Sequence, residues 1–121
     1  HNKMDETRRQ LLLDAGVDVD EALGRFLGNE ALMMKFLLRF PGDENFSRLK
    51  EAMAQSDAVG AFEAAHTLKG VVGNLSMKDI FRWTSVIVED LRAGDLTAAK
   101  EKMPALEAAY SNTLNLLGQL E

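Results

Sequence analysis

The run from Ala65 to Gly70 combines residue types that could do chemistry at an exposed histidine. On a helical wheel, at about 100° per residue, the apolar side chains of this segment form one stripe, and His66 points roughly 160° away from its centre. The imidazole is therefore predicted to face outward, with Lys69 at i+3 and Gly70 at i+4 beside it. A neutral imidazole is a competent nucleophile near neutral pH, and a neighbouring cation favours an anionic reactant.

Two glycines, Gly70 and Gly73, share this outer face, and Phe62 at i−4 adds an aromatic ring. A mid-helix glycine costs about 1 kcal/mol relative to alanine, so two of them near one histidine require a reason. Close approach by another molecule is one reason, and a close crossing of two helices is the other. Since a lone surface histidine usually has no function, the spacing alone does not name a chemistry.

The segment from Asp57 to Asp95 resembles a histidine-containing phosphotransfer (HPt) domain of two-component phosphorelays. The pattern of that family is His-x-x-Lys-Gly, usually with alanine before the histidine and leucine two residues after it. These positions are occupied here by Ala65, His66, Leu68, Lys69 and Gly70, and the resemblance continues through the run Ile87–Asp95. The order of the predicted helices also resembles that of the family over essentially the whole chain.

The resemblance implies that His66 carries a phosphoryl group on Nε2, received from one receiver-domain aspartate and passed to another. Lys69 would screen the charge of the phosphohistidine, and Gly70 would leave room for the phosphate and the partner. The implied partners are response-regulator receiver domains or a hybrid sensor histidine kinase. Phosphoryl transfer commonly uses magnesium, and no carboxylate cluster or glycine-rich phosphate loop lies near His66 in the sequence. We therefore expect no cofactor or metal on this chain, magnesium on the receiver, and a carrier without an independent catalytic site.

Two positions depart from the family pattern. Ser76 stands where family members usually have glycine, and Val71 stands where they usually have a small residue. Ser76 followed by Asp79 is similar to a capping box, so we expect Ser76 to begin the next helix. Val71 lies near the edge of the buried stripe, where packing can absorb its bulk.

Two alternatives remain open at this point. The chain could be a non-catalytic helical docking module for a signalling partner, or it could be the phosphoacceptor domain of a chemotaxis-type histidine kinase. The presence of both His66 and Lys69 favours the phosphorelay carrier, because docking alone does not need an imidazole.

The apolar periodicity is helical throughout, and no period-two stretch indicates a strand. We predict an all-α fold: an antiparallel up-down four-helix bundle with short additional helices at its N-terminal end. The chain is expected to form a single domain, 1–121, in which residues 1–3 are a cloning remnant. The predicted helices are Lys3–Leu13, a helix capped by Asp18 and ending at Leu27, Glu30–Phe40, Asn45–Gln55, a helix capped by Asp57 and ending at Leu75, Met77–Ala93, and a last helix from Leu96.

A docking surface is predicted from the third of these helices. Leu32 and Phe36 keep the period of its inner face, whereas Met34 and Leu38 form an i, i+4 pair outside it. Methionine suits an adaptable binding surface, so Met34 and Leu38 are expected to join Phe62 and Gly73 in a partner-docking patch around His66. The alternative is that the N-terminal helices cover both side chains.

Composition agrees with a cytoplasmic signalling domain. The chain has 121 residues, no cysteine and a formal net charge of −5, so nucleic acid is not an expected partner. Its apolar runs are shorter than the ~20 residues of a membrane span, and no signal peptide is evident. A monomer is expected, because the face around His66 must stay open.

Overall fold

A computed structural model describes residues 4–120, so the expected cloning remnant, residues 1–3, lies outside the described part of the chain. The fold is all helical, as predicted, and residues 4–120 contain no named strand. The α-helices are α1 (Glu6–Asp14), α2 (Val19–Arg25), α3 (Glu30–Arg39), α4 (Asn45–Ala54), α5 (Ala58–Asn74), α6 (Lys78–Arg92) and α7 (Leu96–Leu117). Short 3-10 helices follow α3 at Phe40–Gly42 and α7 at Gly118–Leu120.

The three connections from α4 to α7 share one backbone geometry. Each is three residues long, and its middle residue is left-handed: Ser56 with φ +53°, Ser76 with φ +55° and Gly94 with φ +79°. The next residue donates its N–H to a carbonyl five positions back, at 2.8 to 3.0 Å, which satisfies the end of the preceding helix. Each long helix consequently packs against the next one: α4 on α5, α5 on α6 and α6 on α7.

Ser76 does not begin α6, and the expectation that it caps this helix is wrong. Met77 occupies the N-cap position without a side-chain cap, while Ser76 is the left-handed residue that ends α5. Glycine tolerates this conformation best, so a serine at this position carries a conformational cost. The buried Ser76 hydroxyl instead donates to Glu21 Oε1 at 2.8 Å. The predicted caps Asp18 and Asp57 are confirmed, since both carboxylates accept a backbone N–H of the following helix turn.

The N-terminal segment, residues 5–29, attaches to the α5–α6 connection and to α7. Val17 forms an antiparallel bridge with Met77, and the Asp18 N–H donates to the Ser76 carbonyl at 2.9 Å. On the other side, the buried Thr113 hydroxyl donates to the Ala15 carbonyl at 2.7 Å. Backbone and side-chain bonds therefore hold this segment at one end of the long helices.

The orientation of α3 differs from the prediction. Met34 is buried, at 7% exposed, whereas Leu32 and Phe36, predicted to face inward, are each 39% exposed. The Phe36 ring stacks on Phe26 of the N-terminal segment, with centroids 5.6 Å apart, which leaves Met34 to fill the core. Leu27, at which α2 was predicted to end, lies beyond the last residue of that helix, Arg25; its φ is +55° and its side chain is 94% exposed.

The buried stripe of α5 agrees with the helical wheel. Ala61, Ala65, Leu68 and Val72 are completely buried, and Val71 is half-buried at the edge of the stripe. These side chains orient α5 in the core and turn its opposite face outward. Within residues 4–120 the structure has no helix long and apolar enough to cross a membrane.

Candidate functional site

His66 lies on the outer face of α5 and is exposed, as the helical wheel predicted. Two features of the helix set its position. Asp57 Oδ1 accepts the Gly60 N–H at 2.9 Å and begins the helix, and the buried alanine and leucine stripe fixes its rotation. The imidazole is therefore presented to solvent by a rigid element.

Phe62 is the nearest aromatic neighbour of the imidazole. The two rings stack with centroids 5.6 Å apart and an angle of 18° between their planes. The same phenylalanine ring also contacts Arg92, at the end of α6, whose Cζ lies 5.2 Å from the ring centroid. Phe62 is half-buried, and its ring contacts both His66 of α5 and Arg92 of α6 at the edge of the site.

Lys69 lies on the same side of α5 as His66 and is half-buried. Its ammonium nitrogen stands 5.9 Å from the centroid of the Phe81 ring, which belongs to α6. Lys69, three residues after His66, and Arg92, which lies over the ring that stacks on the imidazole, thus bring two positive charges to this part of the surface, each beside a phenylalanine ring. This local charge contrasts with the net charge of −5 for the whole chain.

The two glycines of the outer face have different surroundings. A Cβ built on Gly70 would meet no heavy atom within 4 Å, so the space one turn after His66 is open. A Cβ on Gly73 would lie 3.2 Å from Phe81 Cε1. Gly73 therefore serves the packing of α6 on α5; it is half-buried, and its contact with a docking partner stays a prediction.

Of the other expected docking residues, Met34 is buried in the core and Leu38 is half-buried against it. The expectation that Met34 forms a partner surface is wrong, because α3 turns this side chain inward. The residues that do lie together around the imidazole are His66, Phe62, Lys69 and Gly70.

Sequence reasoning missed the contribution of α6, namely Phe81 and Arg92. These two residues are eleven positions apart, which is about three helical turns, so they lie on one face of the helix. That spacing could have indicated a face shared with α5. Among residues 4–120, no group of three or more histidine and acidic side chains is placed to hold a metal ion.

Comparison with known proteins agrees with this geometry. The model of the Hpt domain family matches residues 42–116, which is more than half of the chain and runs from the end of the 3-10 turn after α3 almost to the end of α7. Searches of curated proteins and of solved structures found no match. The matched region contains His66, Lys69 and Gly70. The chain therefore belongs to the Hpt domain family, whose members take part in histidine phosphotransfer in two-component signalling.

Proposed function

We propose that this protein is a phosphorelay intermediate that accepts a phosphoryl group on His66 from a receiver-domain aspartate and passes it to another receiver. The observation that carries the proposal is the exposed imidazole on α5, which has a cation beside it and open space one turn further on. An acceptor that reacts with a large partner needs this combination of access and positive charge.

The transfer step can be written with few demands on this chain. His66 Nε2 attacks the phosphorus of the aspartyl phosphate, the acyl P–O bond breaks, and the aspartate leaves as a carboxylate. Such reactions depend mainly on positioning and charge neutralisation. Lys69 would neutralise the phosphoryl oxygens, Gly70 would admit the partner, and the receiver would supply magnesium. The reverse attack by a second aspartate would regenerate the imidazole.

A direct test uses phosphoramidate, a small phosphoryl donor, and then a receiver domain. The protein should acquire an acid-labile, base-stable phosphoryl group that His66→Gln abolishes. Thr67→Ala is the matched control, because Thr67 is the next exposed residue along the helix and should leave labelling intact. Loss of label from the phosphorylated protein on addition of a receiver demonstrates the relay. A wild-type protein that takes no label from phosphoramidate or from any phosphorylated receiver refutes the proposal.

The role of Lys69 can be tested with one substitution that removes its charge and one that keeps it. Lys69→Gln should slow transfer roughly tenfold, because one charge-assisted contact to the phosphoryl group is lost, and Lys69→Arg should retain most of the rate. Equal slowing by both substitutions would contradict a role in charge neutralisation and would indicate a role in packing against Phe81.

Two structural expectations belong to the same proposal. The three-residue connections favour an antiparallel up-down arrangement of α4 to α7, the four-helix bundle on which an acceptor helix is held. A monomer is expected in solution, because self-association through the His66 face would close it. Sedimentation equilibrium of the wild type and of Glu63→Lys, a variant on the outer face of α5, tests this point. A wild type that is dimeric and a variant that is monomeric would contradict the expectation.

A further inference from the structure

An open cavity of about 940 Å³ lies where the ends of α2 and α3 meet the end of α5. Its apolar wall is formed by five side chains: Phe26, Phe36, Phe40, Val71 and Leu75. The Phe26 and Phe36 rings stack on each other, and Phe36 is nevertheless 39% exposed. Pockets of about 300–1,000 Å³ with an apolar lining and a few polar groups are the usual binding sites of small organic molecules. The size and lining of this cavity fit that description.

Two exposed arginines bring positive charge to the cavity, Arg25 from the last turn of α2 and Arg39 from the last residue of α3. The Arg39 guanidinium lies over the Phe36 ring, 5.5 Å from its centroid. Within residues 4–120 this guanidinium makes no ion pair. All of its hydrogen-bond donors thus remain open to an anion that enters the cavity.

The ion pair of Arg25 is weak. Its nearest carboxylate oxygen, Glu21 Oε1, is 3.7 Å away in an exposed i, i+4 pair. The same carboxylate has shorter bonds to Ser76 and Lys78, at 2.8 and 2.9 Å. Because an exposed pair of this kind contributes little to stability, Arg25 can turn from Glu21 to another anion at small cost.

One carboxylate, that of Asp43, also lines the cavity, and its oxygens already have partners. They accept hydrogen bonds from the backbone and side-chain N–H groups of Asn45, at 3.0 and 3.1 Å. Two guanidinium groups against one carboxylate leave a local excess of positive charge, in a chain whose net charge is −5. A negatively charged ligand complements this part of the surface.

We propose that this cavity binds a small aromatic carboxylate. The ring of the ligand packs on the stacked pair of Phe26 and Phe36, and its carboxylate accepts charge-assisted hydrogen bonds from Arg25 and Arg39. An inorganic anion leaves the apolar wall uncovered, and a neutral aromatic molecule leaves both guanidinium groups without a partner. The ligand therefore needs the ring and the charge together.

The cavity is separate from the phosphoacceptor. Asn74 and Val71, which α5 contributes to the lining, point about 80° and 140° away from His66 around the helix. Asn74 also lies about two turns beyond His66 along α5. The proposed site thus goes beyond phosphotransfer and does not depend on it.

The first test is a titration of the protein with 4-phenylbutyrate, followed by NMR. This probe should bind saturably and shift the amide resonances of Val71 and Asn74. The neutral amide 4-phenylbutanamide and inorganic phosphate should each bind at least about tenfold more weakly, because each lacks one half of the recognition. His66→Gln should bind the probe as the wild type does, so the result is independent of the proposed function. No saturable shift at the lining residues with millimolar probe, or equal binding of the neutral amide, overturns the proposal.

The second test removes one charge from the cavity. Arg39→Gln should weaken binding of 4-phenylbutyrate roughly tenfold, because a charge-assisted contact to the carboxylate is lost. Arg82→Gln is the matched control, since Arg82 is also an exposed arginine over an aromatic ring, Trp83, at 5.0 Å, but lies outside the cavity. Its affinity should stay within about twofold of the wild type. Equal affinities of the two variants overturn the role assigned to Arg39.

The third test fills the cavity. Asn74 is exposed at the end of α5, so Asn74→Trp should place an indole over the opening and abolish binding of the probe without lowering the melting temperature. Unchanged binding by this variant, once it is shown to fold, overturns the location of the site. If the probe does not bind the wild type and a receiver domain instead shifts the resonances of Val71 and Asn74, the cavity belongs to a protein partner and the proposal is wrong.

Discussion

Replacing Gly70 with alanine should stabilise the protein and impair its transfer reaction. Gly70 is exposed in the middle of α5, and a Cβ there meets no atom within 4 Å. The substitution therefore gains helix propensity of about 1 kcal/mol without a steric cost. For a chain of this length that gain corresponds to a rise of roughly 3–5 °C in melting temperature. Gly73→Ala provides the contrast, because its Cβ would press on the Phe81 ring at 3.2 Å. Overpacking of about 1–3 kcal/mol should cancel or exceed the same propensity gain.

The functional effect of Gly70→Ala should depend on the size of the phosphoryl donor. A receiver domain packed against the outer face would meet the new methyl group, and a misfit of about 1–3 kcal/mol slows transfer roughly 5- to 150-fold. Phosphoramidate is small enough to reach His66 past a methyl group, so its rate should change little. Thermal denaturation and labelling with both donors measure the two effects. An unchanged rate of transfer from the receiver would refute the idea that the receiver closely approaches Gly70. A lower melting temperature would refute the conclusion that the space beside Gly70 is open.

Three further predictions test the structural features described above. Met34→Glu should lower the free energy of unfolding by about 3 kcal/mol or more, because it buries a carboxylate without a partner. Leu32→Glu, on the exposed face of α3, should lower it by less than about 1 kcal/mol. Equal urea midpoints for the two variants would contradict the orientation of α3. Ser56→Gly should raise the free energy of unfolding by about 0.5–1 kcal/mol, because it relieves the strain of a left-handed backbone at φ +53°. A lower melting temperature in calorimetry would contradict this strain. The hydrogen bonds from Lys78 and then Ser76 lower the pKa of Glu21 from 4.5, so its stabilising effect is present above that pH and is lost as the pH falls through the lower folded-state pKa. Glu21→Gln should therefore flatten the decline of melting temperature below about pH 4.5, and parallel curves would refute the linkage.

The features that local sequence determines were predictable. Asp18 and Asp57 cap their helices because a carboxylate needs only the N–H groups of the next turn, and those are always three residues away. The buried face of α5 was equally predictable, because its apolar residues recur at one helical period and neither His66 nor Lys69 falls on that face. The outward orientation of His66 could therefore be derived from periodicity alone.

The orientation of α3 was not predictable in this way. Six of its ten residues are large and apolar, so several faces satisfy the helical period equally well. The choice between Met34 and Phe36 depends on Phe26, which stacks on Phe36 from another helix. The part of the site formed by Phe81 and Arg92 was missed for the same reason, because contacts between α5 and α6 are tertiary and leave no signal in the local spacing around His66.

The attachment of the N-terminal segment has a consequence for the order of folding. Adjacent long helices close loops of only a few residues, whereas Glu21 reaches a partner 55 positions away and Ala15 one that is 98 positions away. The entropy lost on closing a loop grows with its length, so local helix pairs form before these distant contacts. We therefore expect the N-terminal segment to dock last and to detach first. Hydrogen exchange should then show its amides opening while those of α5 and α6 remain protected.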